Sequence, residues 1–168
     1  MFHTAFYQPR DPKNVGMTMR SHAAFGGGWF VLIDPLETSL NAHKLKKTAR
    51  SMNRFVETIV LPDFTAFLAW VKEKGFLLAA IEIAEQAVSL PEFNFPENVI
   101  LLLGNEVHGI PDEILQACEV VIRIPQNGRI GSLNVSVAAS LAMYEYSRTR
   151  IEALPVIGSR FDIQASPK

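Results

Sequence analysis

The chain has 168 residues, 48% of them hydrophobic and 20% charged, with a net charge of −1. That describes one globular soluble domain, large enough to bury roughly two-thirds of its unfolded surface. It excludes a membrane span, because the longest apolar run, near Val99 to Leu103, is far short of about 20 residues. The single cysteine, Cys118, excludes an intrachain disulfide and argues against a cysteine-based metal site. Beside Val120-Val121-Ile122 it reads as an inert, buried thiol. Met1-Phe2-His3-Thr4-Ala5 has neither a basic leader nor a cleavable apolar core, so the expectation is a cytoplasmic protein.

Thr4 to Tyr7 reads as a short strand. Asp11 followed by Pro12 signals a helix start, a side-chain cap before a residue whose ring presets φ. That helix runs through Met17, Met19, Ala23 and Ala24 until glycines 26–28 stop it. Trp29 to Ile33 is the next apolar strand, closed by Asp34-Pro35. Residues 36–56 are polar and basic and read as a loop with some helix. Thr58 to Leu61 is a strand, and Asp63 caps a helix whose face is Phe64, Phe67, Leu68 and Val71. Gly75 ends it, and Phe76 to Ile81 is another buried strand. Residues 86–98, with Pro91 and Pro96, read as a connector. Then come the strand Val99–Leu103, a short helix from Pro111 to Ala117, the strand Val120–Ile124 and a helix from Leu133 to Arg150.

Strands alternate with helices, and their apolar runs are continuous, which predicts an α/β domain with a parallel sheet covered on both faces. The expected division is a single domain over 1–150 and a tail over 151–168, with Leu154 to Ile157 able to dock. In the last helix, Val135, Val137, Ala138, Ala139, Leu141 and Ala142 make the first half apolar nearly all round. A helix of that kind in a small domain predicts a second subunit against it, hence a homodimer.

Charge is uneven along the chain. Arg10, Lys13, Arg20 and His22 form one basic stretch, Lys44, Lys46, Lys47, Arg50 and Arg54 another, and acidic residues concentrate in 82–119. A basic face for RNA is compatible with this, although the net charge offers no support for it.

The chemistry-bearing segments lie in 100–142. Gly104-Asn105-Glu106 follows a strand, where open α/β sheets bind ligands, and Gly104 lets backbone approach a flat ligand closely. Gly109, Gly128 and Gly131 are read as positive-φ turn residues of the same pocket wall. Ile124-Pro125 ends the next strand, and Ser132-Leu133-Asn134 opens the last helix. Phe25-Gly26-Gly27-Gly28 lies between a helix and a strand, the reverse of a phosphate-binding loop. Ser132 is not in a Gly-x-Ser-x-Gly elbow, and His3, His22, His43 and His108 lack metal-ligand spacing.

This pattern resembles the SpoU family of SPOUT-superfamily methyltransferases over roughly residues 4–150. Asn14, Gly16 and Arg20 match the family's N-terminal motif, and the 104–106 and 132–134 segments follow in the family order. The resemblance implies a deep trefoil knot at the C-terminal end, and S-adenosylmethionine-dependent methylation of an RNA ribose 2′-hydroxyl. The cofactor would be held near Leu103, Gly104, Asn105, Gly109, Ile124, Pro125, Ser132 and Leu133. Arg20 would orient and stabilise the attacking oxygen, within a hydrogen-bonded shell of Asn14, Glu106, Ser132 and Asn134; His108 is assigned nothing. A compact tRNA is the expected substrate, with ribosomal RNA the alternative and no metal required. A non-catalytic knotted RNA-binding protein is the rival from another class. A generic nucleotide-binding enzyme is a second rival, for which no phosphate loop is found.

Overall fold

Five-residue apolar runs such as Val99-Ile100-Leu101-Leu102-Leu103 fit strands covered on both sides, because alternate side chains then enter two separate cores. The computed structural model describes residues 1–35, 55–148 and 150. Seven strands appear among them: β1 (Phe2–Tyr7), β2 (Trp29–Ile33), β3 (Glu57–Leu61), β4 (Leu77–Ile81), β5 (Val88–Ser89), β6 (Val99–Leu103) and β7 (Val120–Arg123). They form one parallel sheet in the order β3-β2-β1-β6-β4-β7-β5. The helices are α1 (Pro12–Ala24), α2 (Phe64–Lys74), α3 (Asp112–Gln116) and α4 (Val135–Arg148).

The two cores follow from the pleat. Val99, Leu101 and Leu103 face Val15 and Met19 of α1 and Ala139, Ala142, Met143 and Tyr146 of α4. Ile100 and Leu102 face Phe67 and Val71 of α2 and Ile114 and Leu115 of α3. Burying each large side chain of this kind contributes roughly 1.5–3 kcal/mol. The parallel α/β architecture is as the apolar runs predict. None of the described helices is long and apolar enough to cross a membrane.

Local signals set most boundaries. The Asp11 carboxylate accepts the Lys13 amide at 2.8 Å at the start of α1. Asp63 accepts the Ala66 amide at 2.8 Å at the start of α2, and Gly75 ends α2 with a left-handed φ of 68°. Differences are few. β1 starts at Phe2 rather than Thr4. β5 lies inside the segment read as a connector, because two residues paired to β7 are too short to show a period. The last helix begins at Val135 rather than Leu133, because Asn134 is its cap. The Asn134 carbonyl accepts the amides of Val137 and Ala138, and its side-chain oxygen accepts the Ser136 amide at 2.9 Å.

His22 leaves the basic stretch to which its sequence position assigned it: it is fully buried. Its Nδ1 accepts the Thr4 hydroxyl at 2.9 Å, and its Nε2 donates to the Gly28 carbonyl at 2.9 Å. His3 is buried between Trp29 and Phe76, with its Nδ1 accepting the Trp29 amide at 2.9 Å. Both rings pack against glycines: a Cβ on Gly27 would meet the His22 ring at 2.3 Å, and one on Gly28 the His3 ring at 2.5 Å. Burial pushes the His3 imidazole down to about 4, helped by the N-terminal amine and by His22; burial also lowers His22, against its bond to Gly28. Unfolded, both histidines take up a proton near 6.5; folded, they resist it. Stability should therefore fall as pH drops below 6.5, with His3 contributing down to about pH 4 at up to about 1.4 kcal/mol per pH unit and His22 acting in the same direction. Urea unfolding at pH 7.5 and pH 5 reads this directly, and equal midpoints would contradict it.

Cys118 donates to the Ile114 carbonyl at 3.2 Å, and burial pushes its thiol up to about 12, as expected of an inert residue. The basic stretch 44–54 and the tail 151–168 lie outside the described residues.

Candidate active site

The C-terminal ends of β4, β6 and β7 open onto a cavity of about 650 Å³, a normal size for a small-molecule site. Its apolar wall includes Leu103, Ile110, Leu115, Ile124, Leu133 and Ala138. Among the described residues its charged lining consists of Glu82, Glu85, Glu106 and Asp112, with no lysine or arginine. Such a cavity favours a flat, partly apolar ligand that carries positive charge, and it repels a nucleotide's phosphates.

The turn after β6 shapes the floor. Asn105 and Gly109 exchange backbone hydrogen bonds at 3.0 and 2.9 Å. The Asn105 side chain fills the loop between them, accepting the amides of Val107 and His108 at 2.9 and 3.2 Å. Its amide nitrogen donates to the Gln8 carbonyl at 2.7 Å, tying the loop to the end of β1. Gly109 has a φ of +67°, so the turn uses the freedom that glycine supplies. Gly104 is required for space: a Cβ there would lie 2.5 Å from the Gly109 carbonyl carbon. Gly104→Ala should push the turn outward, costing about 1–3 kcal/mol of stability and more than tenfold in ligand affinity at the cavity. Thermal melting and calorimetric titration read the two effects; wild-type values in both would refute this account. Gly128 and Gly131 differ from the expectation. Neither has a positive φ, and a Cβ on either would meet nothing within 4 Å.

The three sequence motifs meet in one hydrogen-bonded chain. Glu106 accepts the backbone amides of Arg10 at 2.9 Å and Asp11 at 3.0 Å, and the side-chain amide of Asn14 at 3.2 Å. Asn14 in turn accepts from the Asn134 side chain at 3.0 Å. Glu106 thus satisfies amides at the start of α1, while Asn134 caps α4. The carboxylate also suits the positive end of the α1 dipole.

Of the residues expected to hold a cofactor, Leu103, Gly104, Asn105, Gly109, Ile124, Ser132 and Leu133 line the cavity. Pro125 does not line it. Glu106 and Asn134 also line it; Asn14 lies behind them, and Arg20 is elsewhere. Arg20 borders a separate depression of about 300 Å³ between α1 and α4, with Met17, Ser21, Ser136, Val137, Ser140 and Leu141. The six-residue separation explains the split: it rotates a helical position by about 600°, a net 120°. Asn14 therefore points inward and Arg20 outward. The first turns of α4 lie between the two hollows, with Val135 and Ala138 on the cavity side and Ser136, Val137 and Ser140 on the other.

Sequence reasoning missed two features. Glu82, just after β4, accepts the Ile83 and Ile110 amides at 2.9 and 3.0 Å and so joins the β4 end to the β6 turn. Its signal was a carboxylate directly after a buried strand. Gln8 and Asp34, at the ends of β1 and β2, are non-glycine residues with φ of 43° and 45°, bonded to each other at 2.6 Å. Such strained positions gather near functional sites, and no local pattern announces them. Among the described residues, no group of three or more His, Cys, Asp or Glu side chains is placed to hold a metal ion.

A sequence model of the SpoU rRNA Methylase family matches residues 1–144. The chain belongs to that family. A SpoU-type relative, the tRNA (guanosine(18)-2′-O)-methyltransferase TARBP1 of Mus musculus, is 32% identical over 142 residues, 83% of this chain and 9% of that protein. A solved structure concerned with 2-OH methylation of C/U34 on tRNA superposes with a TM-score of 0.80 at 35% identity. The match covers 90% of this chain and 97% of that one. An AdoMet-bound rRNA methyltransferase from Sinorhizobium meliloti gives a TM-score of 0.78 at 25% identity, over 92% of this chain and 57% of that one. The chain thus spans only part of many SpoU relatives, including less than a tenth of the mouse protein. The seven-stranded parallel sheet is the fold shared with these SPOUT methyltransferase structures.

Proposed function

We propose that this protein is an S-adenosylmethionine-dependent methyltransferase that modifies a ribose 2′-hydroxyl of tRNA. The observation that carries the reading is the acidic, apolar-walled cavity at the strand ends, joined through Glu106, Asn14 and Asn134 to the family's three motifs. S-adenosylmethionine fits its chemistry, since an adenine needs the apolar wall and the sulfonium and ammonium outweigh the one carboxylate, leaving a net positive charge that suits an acidic lining. The backbone around Leu103, Gly104, Ile124 and Leu133 would hold the adenosine. An adenine dinucleotide would bring its phosphates against Glu82, Glu85, Glu106 and Asp112, which weighs against the generic nucleotide-binding reading. The tRNA assignment is supported by the C/U34 structure, matched along 97% of its length.

Bound there, the cofactor supplies an electrophilic methyl group. The chain's own part is to orient the ribose, stabilise the 2′-oxygen as it loses its proton, and exclude competing nucleophiles. Arg20 is assigned the stabilising role, with water or a phosphate taking the proton, because a guanidinium is a poor base. Asn14, Glu106 and Asn134 hold the elements in register, and Ser132 lines the cavity. The reaction as proposed needs no metal.

The same reading makes the protein a cytoplasmic homodimer, a single domain over 1–150 with a tail over 151–168, in which the C-terminal part completes a trefoil knot. Support for the dimer comes from Met17, Val137 and Leu141, apolar and exposed around Arg20. A second copy over this face would bury them and enclose the guanidinium.

The test incubates purified protein with radiolabelled S-adenosylmethionine and unmodified tRNA, with ribosomal RNA in parallel, and analyses the digested nucleosides. A 2′-O-methylated nucleoside from tRNA is expected, and nucleotide 34 is the first position to inspect. Label in ribosomal RNA alone would replace the substrate. Cofactor binding with no label in either RNA would favour a non-catalytic role.

A further inference from the structure

The segment between β7 and α4 stands out for its exposure. Asn127 to Asn134 are exposed without interruption, and Ile130 is 75% exposed. Gly128 and Gly131 bracket Arg129-Ile130, although neither needs glycine for space or for a left-handed φ. The segment is nevertheless anchored at the cavity, since Gln126 before it and Ser132 after it line the wall. Arg129 thus sits three residues from each of two wall residues, on a segment tied to a cavity whose charged lining among the described residues is all acidic. A second exposed arginine is tied to the wall through its backbone. Arg10 has its backbone amide held by Glu106 of the cavity wall at 2.9 Å. Among the described residues neither arginine is in an ion pair, the pairs being Lys74–Glu73 and Arg148–Glu145.

This arrangement divides the charges by task. A polyanion cannot be drawn into a pocket of four carboxylates, so attraction for one must come from the rim. We propose that Arg129, with Arg10 on another part of the rim, contacts the phosphate backbone of the RNA substrate and seats the target nucleotide over the cavity. The glycines on either side let Arg129 reach a phosphate without moving the cofactor wall to which the segment is anchored. The partner is a single-stranded or loop region of RNA, held through phosphates and not through base edges. This inference rests on the function proposed above and adds the residues that grip its substrate.

The test measures tRNA affinity of the whole protein from 50 to 200 mM salt, with S-adenosylmethionine affinity alongside. Arg129 is exposed, so Arg129→Ala should melt like the wild type. It should bind tRNA about tenfold more weakly at low salt, with the log–log salt slope reduced by about one. Cofactor affinity should be unchanged, Arg129→Lys should restore the slope, and Arg10→Ala should add to the loss. Lys72→Ala is the control, because Lys72 is in the last turn of α2, a crossover helix that leads into the start of β4, at the strand ends away from the cavity. Arg129→Ala with wild-type tRNA affinity and salt slope overturns the inference while leaving the proposed function standing. Equal loss of tRNA and cofactor also overturns it, since the segment would then be cofactor wall alone. Wild-type protein without affinity for tRNA would overturn the tRNA reading and this inference together.

Discussion

Arg20→Ala should lower methyl transfer by roughly 10²–10⁴-fold while leaving the fold and cofactor affinity close to wild type. The side chain is exposed on α1 and borders a depression separate from the large cavity. Its removal therefore opens no hole in the core and strips no group from the cavity wall, and a stability change within about 0.5 kcal/mol is expected. Single-turnover rates, thermal melting and cofactor titration separate these quantities. Near-wild-type turnover in the variant would remove Arg20 from the mechanism. Equal loss of cofactor affinity would make it a binding residue instead. Arg20→Lys is informative as a second variant, because a lysine keeps the charge but not the planar fork that can hold an oxygen and a phosphate together.

Breaking the apolar face of α4 should be nearly as damaging, through assembly. Val137, Leu141 and Tyr144 are 43%, 40% and 50% exposed and fall at i, i+4 and i+7, so they share one stripe. Met17 of α1, at 55% exposure, adjoins it, and Ser21 and Ser140 bond at 2.7 Å to hold the two helices together beneath. The wild type is expected to sediment as a dimer at micromolar concentration. Replacing Val137 and Leu141 together by glutamate should yield a folded monomer, because the stripe lies outside both cores, and its activity should fall at least tenfold if the partner encloses Arg20. A monomeric wild type would refute the dimer. A monomeric variant with full activity would show that one chain suffices.

The identity of the elements was legible because it rests on local physics. Asp11-Pro12, Asp63 and Gly75 mark helix ends through bonds and torsions within a few residues, and the short unbroken apolar run 99–103 fits a strand covered on both sides. The same holds for most of the cavity lining, since Gly104, Ile124 and Leu133 follow or precede elements whose ends the sequence marks. Placement was another matter. The order β3-β2-β1-β6-β4-β7-β5 sets β6 between β1 and β4, and no residue in β6 encodes its neighbours. Glu82 and Ile110 are 28 residues apart, and Asn14 and Asn134 are 120 apart. Only the closed sheet brings each pair within hydrogen-bond distance. His22 looked like one more surface cation in the sequence, but the fold buries it, and burial lowers its imidazole and favours the neutral form. Asn14 and Arg20 belong to one motif in the sequence, but a net rotation of about 120° along α1 turns Asn14 toward Glu106 and Asn134 and Arg20 toward the separate depression. The sequence by itself determined the elements, their caps and the kinds of group at the site, because these depend on torsions and on neighbours along the chain. The tertiary structure decided which groups meet, which charges stay in water and which glycines are required for space, because those depend on atoms far away in sequence.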